Sequence, residues 1–117
     1  MFYFIYILEC SNGALYTGYT TDMERRYQEH LEGSPKCKYT RSFPPKRIAA
    51  VWKFEEDLSF VLSLERRIKA LSKAQKNSLI KHHQIAMDQE KLCILTGQLY
   101  KLIILSTIQK VLKKSNL

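Results

Sequence analysis

Residues 2–19 read Phe2-Tyr3-Phe4-Ile5-Tyr6-Ile7-Leu8-Glu9-Cys10-Ser11-Asn12-Gly13-Ala14-Leu15-Tyr16-Thr17-Gly18-Tyr19. Residues 2 to 8 are dense in aromatic and β-branched side chains, the composition of a buried strand. Ser11-Asn12-Gly13 then interrupts the apolar run, and Asn-Gly supplies the positive φ that a tight turn needs. Residues 14 to 19 return as the partner strand. The chain therefore opens on a β-hairpin.

Working outward, a helix is predicted next. Thr21 is its expected cap, with Glu24 three residues on as in a capping box, and Gly33 is the expected stop. Met23, Tyr27 and Leu31 repeat at helical spacing. At about 100° per residue, Arg26 and His30 fall at one edge of that apolar face, with Arg25 and Glu29 further toward solvent. Residues 34 to 47 read as a loop broken by Pro35, Pro44 and Pro45. Residues 48 to 54 read as a third strand. After the acidic Glu55-Glu56-Asp57, a helix is expected over 58–71 with Phe60, Val61, Leu64, Ile68 and Leu71 as its apolar stripe. Ser72 and Gln75 suggest a cap for a further helix to about residue 83. The expected class is α+β: a small mixed or antiparallel three-stranded sheet, begun by the hairpin and flanked by helices. Residues 1–83 form the expected domain, and 84–117 a helical C-terminal extension.

In that extension Gly97 is a candidate break. Ile104, Leu105, Ile108, Val111 and Leu112 share one helical face, opposite Lys110, Lys113 and Lys114. Such a helix could pack on its own domain, form a homodimer, contact a partner or lie on a membrane. Its short apolar face argues against the last.

Nineteen Lys and Arg against eleven Asp and Glu give this 117-residue chain a net charge of +8. A surplus of that size points to polyanions: DNA, RNA or an anionic membrane surface. It is concentrated. Residues 36 to 53 hold Lys36, Lys38, Arg41, Lys46, Arg47 and Lys53 without an acid, interleaved with Tyr39, Phe43 and Trp52. Cations hold phosphates while aromatic faces stack on bases or pack in a core. Cys10, Cys37 and Cys93 show no zinc-site spacing and read as structural. The odd count, with no secretory signal or spanning segment, points to a reducing cytoplasm.

Two tyrosines, Tyr6 and Tyr16, stand ten residues apart on the hairpin strands. Arg26 follows by ten more and His30 by four, and Glu65 lies at the rim of the later helix's apolar stripe. Phe4-Ile5-Tyr6, Tyr16-Thr17-Gly18, the run Thr20-Thr21-Asp22-Met23-Glu24-Arg25-Arg26-Tyr27-Gln28-Glu29-His30, and Leu64-Glu65-Arg66-Arg67 together resemble the GIY-YIG nucleases, particularly small stand-alone bacterial ones. The resemblance covers residues 2 to about 80. Phe4 stands where the name has Gly, and Thr17 where it has Ile. Neither position carries chemistry in the family.

The resemblance implies a metal-dependent endonuclease acting on DNA, in repair or recombination by analogy with relatives. It implies Glu65 as ligand of Mg²⁺ or Mn²⁺, Arg26 on a phosphate oxygen, Tyr6 and Tyr16 on the attacking water, and His30 as proton relay or phosphate contact. Lys38, Thr40, Arg41, Lys73, Lys76 and Asn77 are expected along the nucleic acid. The residues by themselves also allow plainer roles: hairpin tyrosines, Arg26 paired with Asp22, a core-edge histidine, and Glu65 paired with Lys69. A nucleic-acid-binding module without turnover is the alternative function.

Overall fold

The computed structural model describes residues 2–93, with side chains to residue 83. Strand β1 (Tyr3–Cys10) is the centre of a three-stranded antiparallel sheet of order β2-β1-β3. Covered on both faces and both edges, its Ile5, Ile7, Leu8 and Cys10 lose all exposure, and Tyr6 is equally buried. Each fully buried Ile or Leu contributes about 1.5–3 kcal/mol relative to exposure, so this strand anchors the core. The fold is α+β, as expected.

The hairpin to β2 (Leu15–Thr20) closes through a loop in which Gly13 takes φ +82°. Cys10 N–H donates to Ala14 O and Gly13 N–H to Cys10 O, while Asn12 Oδ1 accepts from Ala14 N–H. Asn12 itself keeps a negative φ, so Gly13 alone supplies the left-handed residue, as in a three-residue hairpin loop.

Helix α1 (Met23–Glu32) begins one residue later than the sequence suggests. Asp22, not Thr21, is the cap: its Oδ1 accepts from Arg25 N–H at 3.0 Å. A neighbouring threonine, Thr20, braces it by bonding the Asp22 backbone. Both residue types cap well, so local chemistry alone does not separate them. Gly33 ends the helix at φ +69°, with Gly33 N–H on His30 O and Ser34 N–H on Glu29 O, a Schellman arrangement. The buried edge of α1 also differs from expectation. His30 is fully buried while Leu31 is exposed, so the polar edge turns to the sheet rather than the apolar repeat.

The expected loop 34–47 is replaced in part by a short helix, α2 (Lys38–Ser42), and by the start of β3 (Pro45–Phe54). Pro45 is tolerated as the first residue of a strand, so it begins β3 rather than breaking it. β3 pairs with β1 with two register shifts, between Ile7 and Leu8 and between Glu9 and Cys10. Trp52 is core. Helix α3 (Leu58–Lys69) buries Val61, Leu64, Glu65 and Ile68. Phe60 departs from the expected stripe: it is exposed, with one ring edge against Phe54.

This first compact unit ends at Lys69, and helix α4 (Lys73–Cys93) belongs to a second. The expected capping box is present: Ser72 and Gln75 exchange backbone-to-side-chain bonds of 2.9 and 3.2 Å. The helix runs past residue 83, because neither Gly nor Pro interrupts 73–93. The amphipathic segment from Ile104, and with it the homodimer expectation, lies outside the described residues. Among the described residues no helix is long and apolar enough to cross a membrane.

Thr17 stands where a branched apolar residue would serve equally well. It faces Ile7 across the hairpin, and its buried Oγ1 has no hydrogen-bond partner. An orphaned buried hydroxyl costs about 1–3 kcal/mol. Thr17→Val keeps the shape and removes the orphan, so the unfolding free energy is expected to rise by about 1 kcal/mol in a denaturant titration. A fall of similar size would show that the hydroxyl is satisfied in solution.

Candidate active site

Strand register and two-residue alternation place Tyr6 and Tyr16 on one face of the hairpin. Tyr6 lies opposite Gly18, and Leu8 opposite Tyr16. Gly18 must be glycine for Tyr6 to lie flat there. A Cβ at Gly18 would sit 2.5 Å from the Tyr6 hydroxyl oxygen and 2.6 Å from its Cζ. The small residue of the second motif is therefore the floor beneath the tyrosine of the first.

The Tyr6 hydroxyl meets His30 Nε2 at 2.8 Å, and His30 Nδ1 meets Thr40 Oγ1 at 2.7 Å. Thr40 has one hydroxyl proton, which goes to Cys37 O at 3.3 Å. Thr40 must then accept from His30, so Nδ1 carries the ring proton and Nε2 accepts from Tyr6. This order follows from the network, and it runs from β1 through α1 to α2. The Tyr6 and His30 rings also meet edge-on at 5.7 Å, and those of Tyr16 and His30 at 5.3 Å.

Burial sets the protonation of both groups. Tyr6 is pushed up to about 12 by desolvation, with the Arg26 guanidinium beside it pulling the other way. His30 is lowered to about 4 by desolvation and by the positive charge of Arg26. At neutral pH the resting site therefore holds a neutral phenol donating to a neutral imidazole. His30 holds the Tyr6 hydroxyl and is itself fully buried.

Arg26 does not pair with Asp22, whose carboxylate is used at the helix cap. It reaches Glu29 at 3.7 Å, as Arg25 does at 3.5 Å. Arg25, Arg26 and Lys36 line a cleft of about 450 Å³ with Tyr19, Thr20, Thr21 and Glu29. The cleft thus carries three cations against one carboxylate.

Glu65 is the one buried carboxylate among the described residues. Its Oε1 pairs with Lys69 Nζ at 2.9 Å. Lys69 is raised chiefly by that carboxylate, and Tyr16 and Tyr19 on β2 push it the same way. The i,i+4 spacing of Glu65 and Lys69 in the sequence already allows this pair.

A family model of the GIY-YIG catalytic domain matches residues 2–78. The chain belongs to the GIY-YIG family. It is similar to a UPF0213 protein of Syntrophus aciditrophicus, at 44% identity over 80 residues, covering 68% of this chain and 91% of the relative. A UPF0213 protein of Halobacterium salinarum is 45% identical over 75 residues, covering 64% and 95%. A solution NMR structure of a UPF0213 protein from Bacillus halodurans is 37% identical with a TM-score of 0.42, covering 86% of this chain and 92% of that one.

Seen as a GIY-YIG site, the donor set fits one kind of cation. Among the described residues no three His, Cys, Asp or Glu side chains gather to cage a metal. A zinc-like closed site is not built here. A single carboxylate such as Glu65 suits a hard cation that keeps its waters and takes substrate oxygens, the habit of Mg²⁺. The Glu65–Lys69 pair joins a buried carboxylate to a half-exposed lysine, so Glu65 keeps a cation beside it whichever one that is.

The remaining expected residues divide. Lys38 and Arg41 are exposed on α2. Thr40 is not on a solvent-facing track; it is buried beneath His30. Lys73 and Asn77 are exposed on α4, while Lys76 is buried. Cys10 and Cys37 are buried, and burial raises the Cys10 thiol, in line with structural roles.

Two outcomes are expected from the buried network. His30 has a folded value near 4 and an unfolded value of 6.5, so its neutral form contributes stability present above pH 6.5 and lost as pH falls toward 4. The difference corresponds to at most about 3 kcal/mol. Denaturation midpoints should fall across that window in the wild type and less steeply in His30→Gln; equal slopes would contradict this. Thr40→Val should strand the Nδ1 proton, destabilise the fold by about 1–3 kcal/mol and shift the His30 tautomer in nitrogen NMR. Thr40→Ser should restore both.

Proposed function

We propose that this protein is a divalent-metal-dependent endonuclease that hydrolyses DNA phosphodiester bonds. The observation that carries the reading is the convergence of Tyr6, Tyr16, His30 and Arg26 around one face of the hairpin, beside a cleft with three cations against one carboxylate. A core has no need of a glycine-floored tyrosine wired to a buried histidine beside a guanidinium. Phosphodiester cleavage needs a directed water and cations where charge develops.

In this reading Arg26 takes a phosphate oxygen through its forked donors, with Arg25 and Lys36 holding the flanking backbone. The two tyrosines then differ in role. Tyr6 is committed to His30 and stays protonated, so it orients its neighbours through a fixed hydroxyl. Tyr16 is only partly buried and is the phenol that faces the attacking water. A divalent cation on Glu65 would supply Lewis-acid stabilisation and a more acidic water. Lys69, released from Glu65, remains a cation for the phosphate side.

The test uses the full chain with supercoiled, nicked, flapped and branched DNA, in Mg²⁺, in Mn²⁺ and in EDTA. Cleavage is expected with either metal and not in EDTA. Glu65→Gln and Tyr16→Phe are each expected to slow cleavage by about 10²-fold or more while DNA binding in EDTA persists. If no substrate is cut with metal and Glu65→Gln binds DNA like the wild type, the protein is a binding module instead.

A further inference from the structure

We propose that the exposed rings of Tyr39 and Phe43 form a stacking platform for unpaired bases of a single strand entering the Tyr16 face. The inference rests on the reading above only for where the strand leads; the platform itself rests on separate observations. Tyr16, Tyr39 and Phe43 form a continuous row. The first two rings stack at 5.8 Å with 17° between planes, and the second and third lie 5.4 Å apart. The row starts at a candidate catalytic side chain and runs outward along α2.

These rings are exposed yet fixed. Tyr39 and Phe43 each keep 39% of their surface open. Tyr39 is held by Asn12, whose Nδ2 donates to its hydroxyl at 3.0 Å, and by the Tyr16 ring. Phe43 is held at the end of α2, its N–H on Tyr39 O, and the next carbonyl, Pro44 O, accepts from Ser11 N–H at 2.8 Å. A half-open aromatic ring already held by its neighbours loses little entropy on binding a flat partner.

Charge identifies that partner. Lys36, Lys38, Arg41 and Lys46 are all exposed in the same segment, and no acid occurs between Glu32 and Glu55. A polyanion with flat faces meets both features at once. A duplex presents its phosphates but hides its base faces, so ring stacking adds affinity only for unpaired bases. The substrate class implied is a single strand, or the single-stranded arm of a flapped or branched molecule.

Phe43→Leu tests this, because Phe43 contacts none of the candidate catalytic residues and the substitution keeps most of the bulk. Fluorescence anisotropy in EDTA would compare a mixed-sequence single strand as DNA and as RNA, the same DNA strand with abasic spacers, and a blunt duplex. The expected result is a loss of about five- to a hundredfold on an intact single strand, whichever sugar it carries, with duplex binding unchanged. Unchanged duplex binding also reports an intact fold. The wild type should bind the abasic strand at least as weakly as the variant binds the intact one. Equal losses on single strand and duplex would overturn the platform. So would no loss anywhere, the outcome if these rings serve a protein partner. Because no cleavage is read, failure of the nuclease reading would leave this result untouched, and the reverse holds as well.

Discussion

A phenol hydroxyl buried on the middle strand of a sheet has to be given a partner, and much of this structure follows from how Tyr6 is provided for. An unpaired hydroxyl there would cost about 1–3 kcal/mol. His30 supplies the partner from α1, Thr40 supports His30 from α2, and the Cys37 carbonyl ends the series. Three elements are thus tied by one directed set of bonds. Gly18 makes room for it, since any side chain there would occupy the space of the Tyr6 ring. The same constraint explains the odd face of α1, where a histidine is buried and a leucine is not.

The electrostatic design follows from that burial. A neutral tyrosine and a neutral histidine sit beside a guanidinium, so the buried region stores no uncompensated charge of its own. Charge is placed at its margins instead: Arg26 and Lys36 along the cleft, and Glu65 with Lys69 on α3. The buried acid is held by a half-exposed lysine one helical turn away.

What could be read from residues alone was what local chemistry decides. The hairpin, the Gly33 stop, the Ser72–Gln75 capping box and the core strand all follow from turn residues, caps and apolar composition. The failures have physical causes too. Thr21 and Asp22 cap about equally well in isolation, and in the fold Asp22 is the cap, braced by Thr20. Helix α2 is too short to be signalled by propensity; its hold is the Thr40–His30 bond, made by a residue ten positions away. Pro45 reads as a breaker because a strand's first position is invisible until its partner is known. The tyrosines, Arg26, His30 and Glu65 were legible as an ordered set. The Glu65–Lys69 pair is legible too, from its i,i+4 spacing, whereas the place of Thr40 beneath His30 required coordinates.

The pairing of β1 with β3 has one more implication, in the time domain. Its closing contact joins Tyr3 to Phe54 and brackets everything between, including Gly18, Arg26, His30 and Thr40. The hairpin can form from neighbours, but the wired tyrosine site lies inside a loop that only this distant ladder closes. Contacts so separated in sequence are the slow step of folding. On the ribosome, therefore, the site stays unassembled until the third strand has emerged, and a chain arrested earlier carries every one of those side chains without the arrangement that gives them meaning.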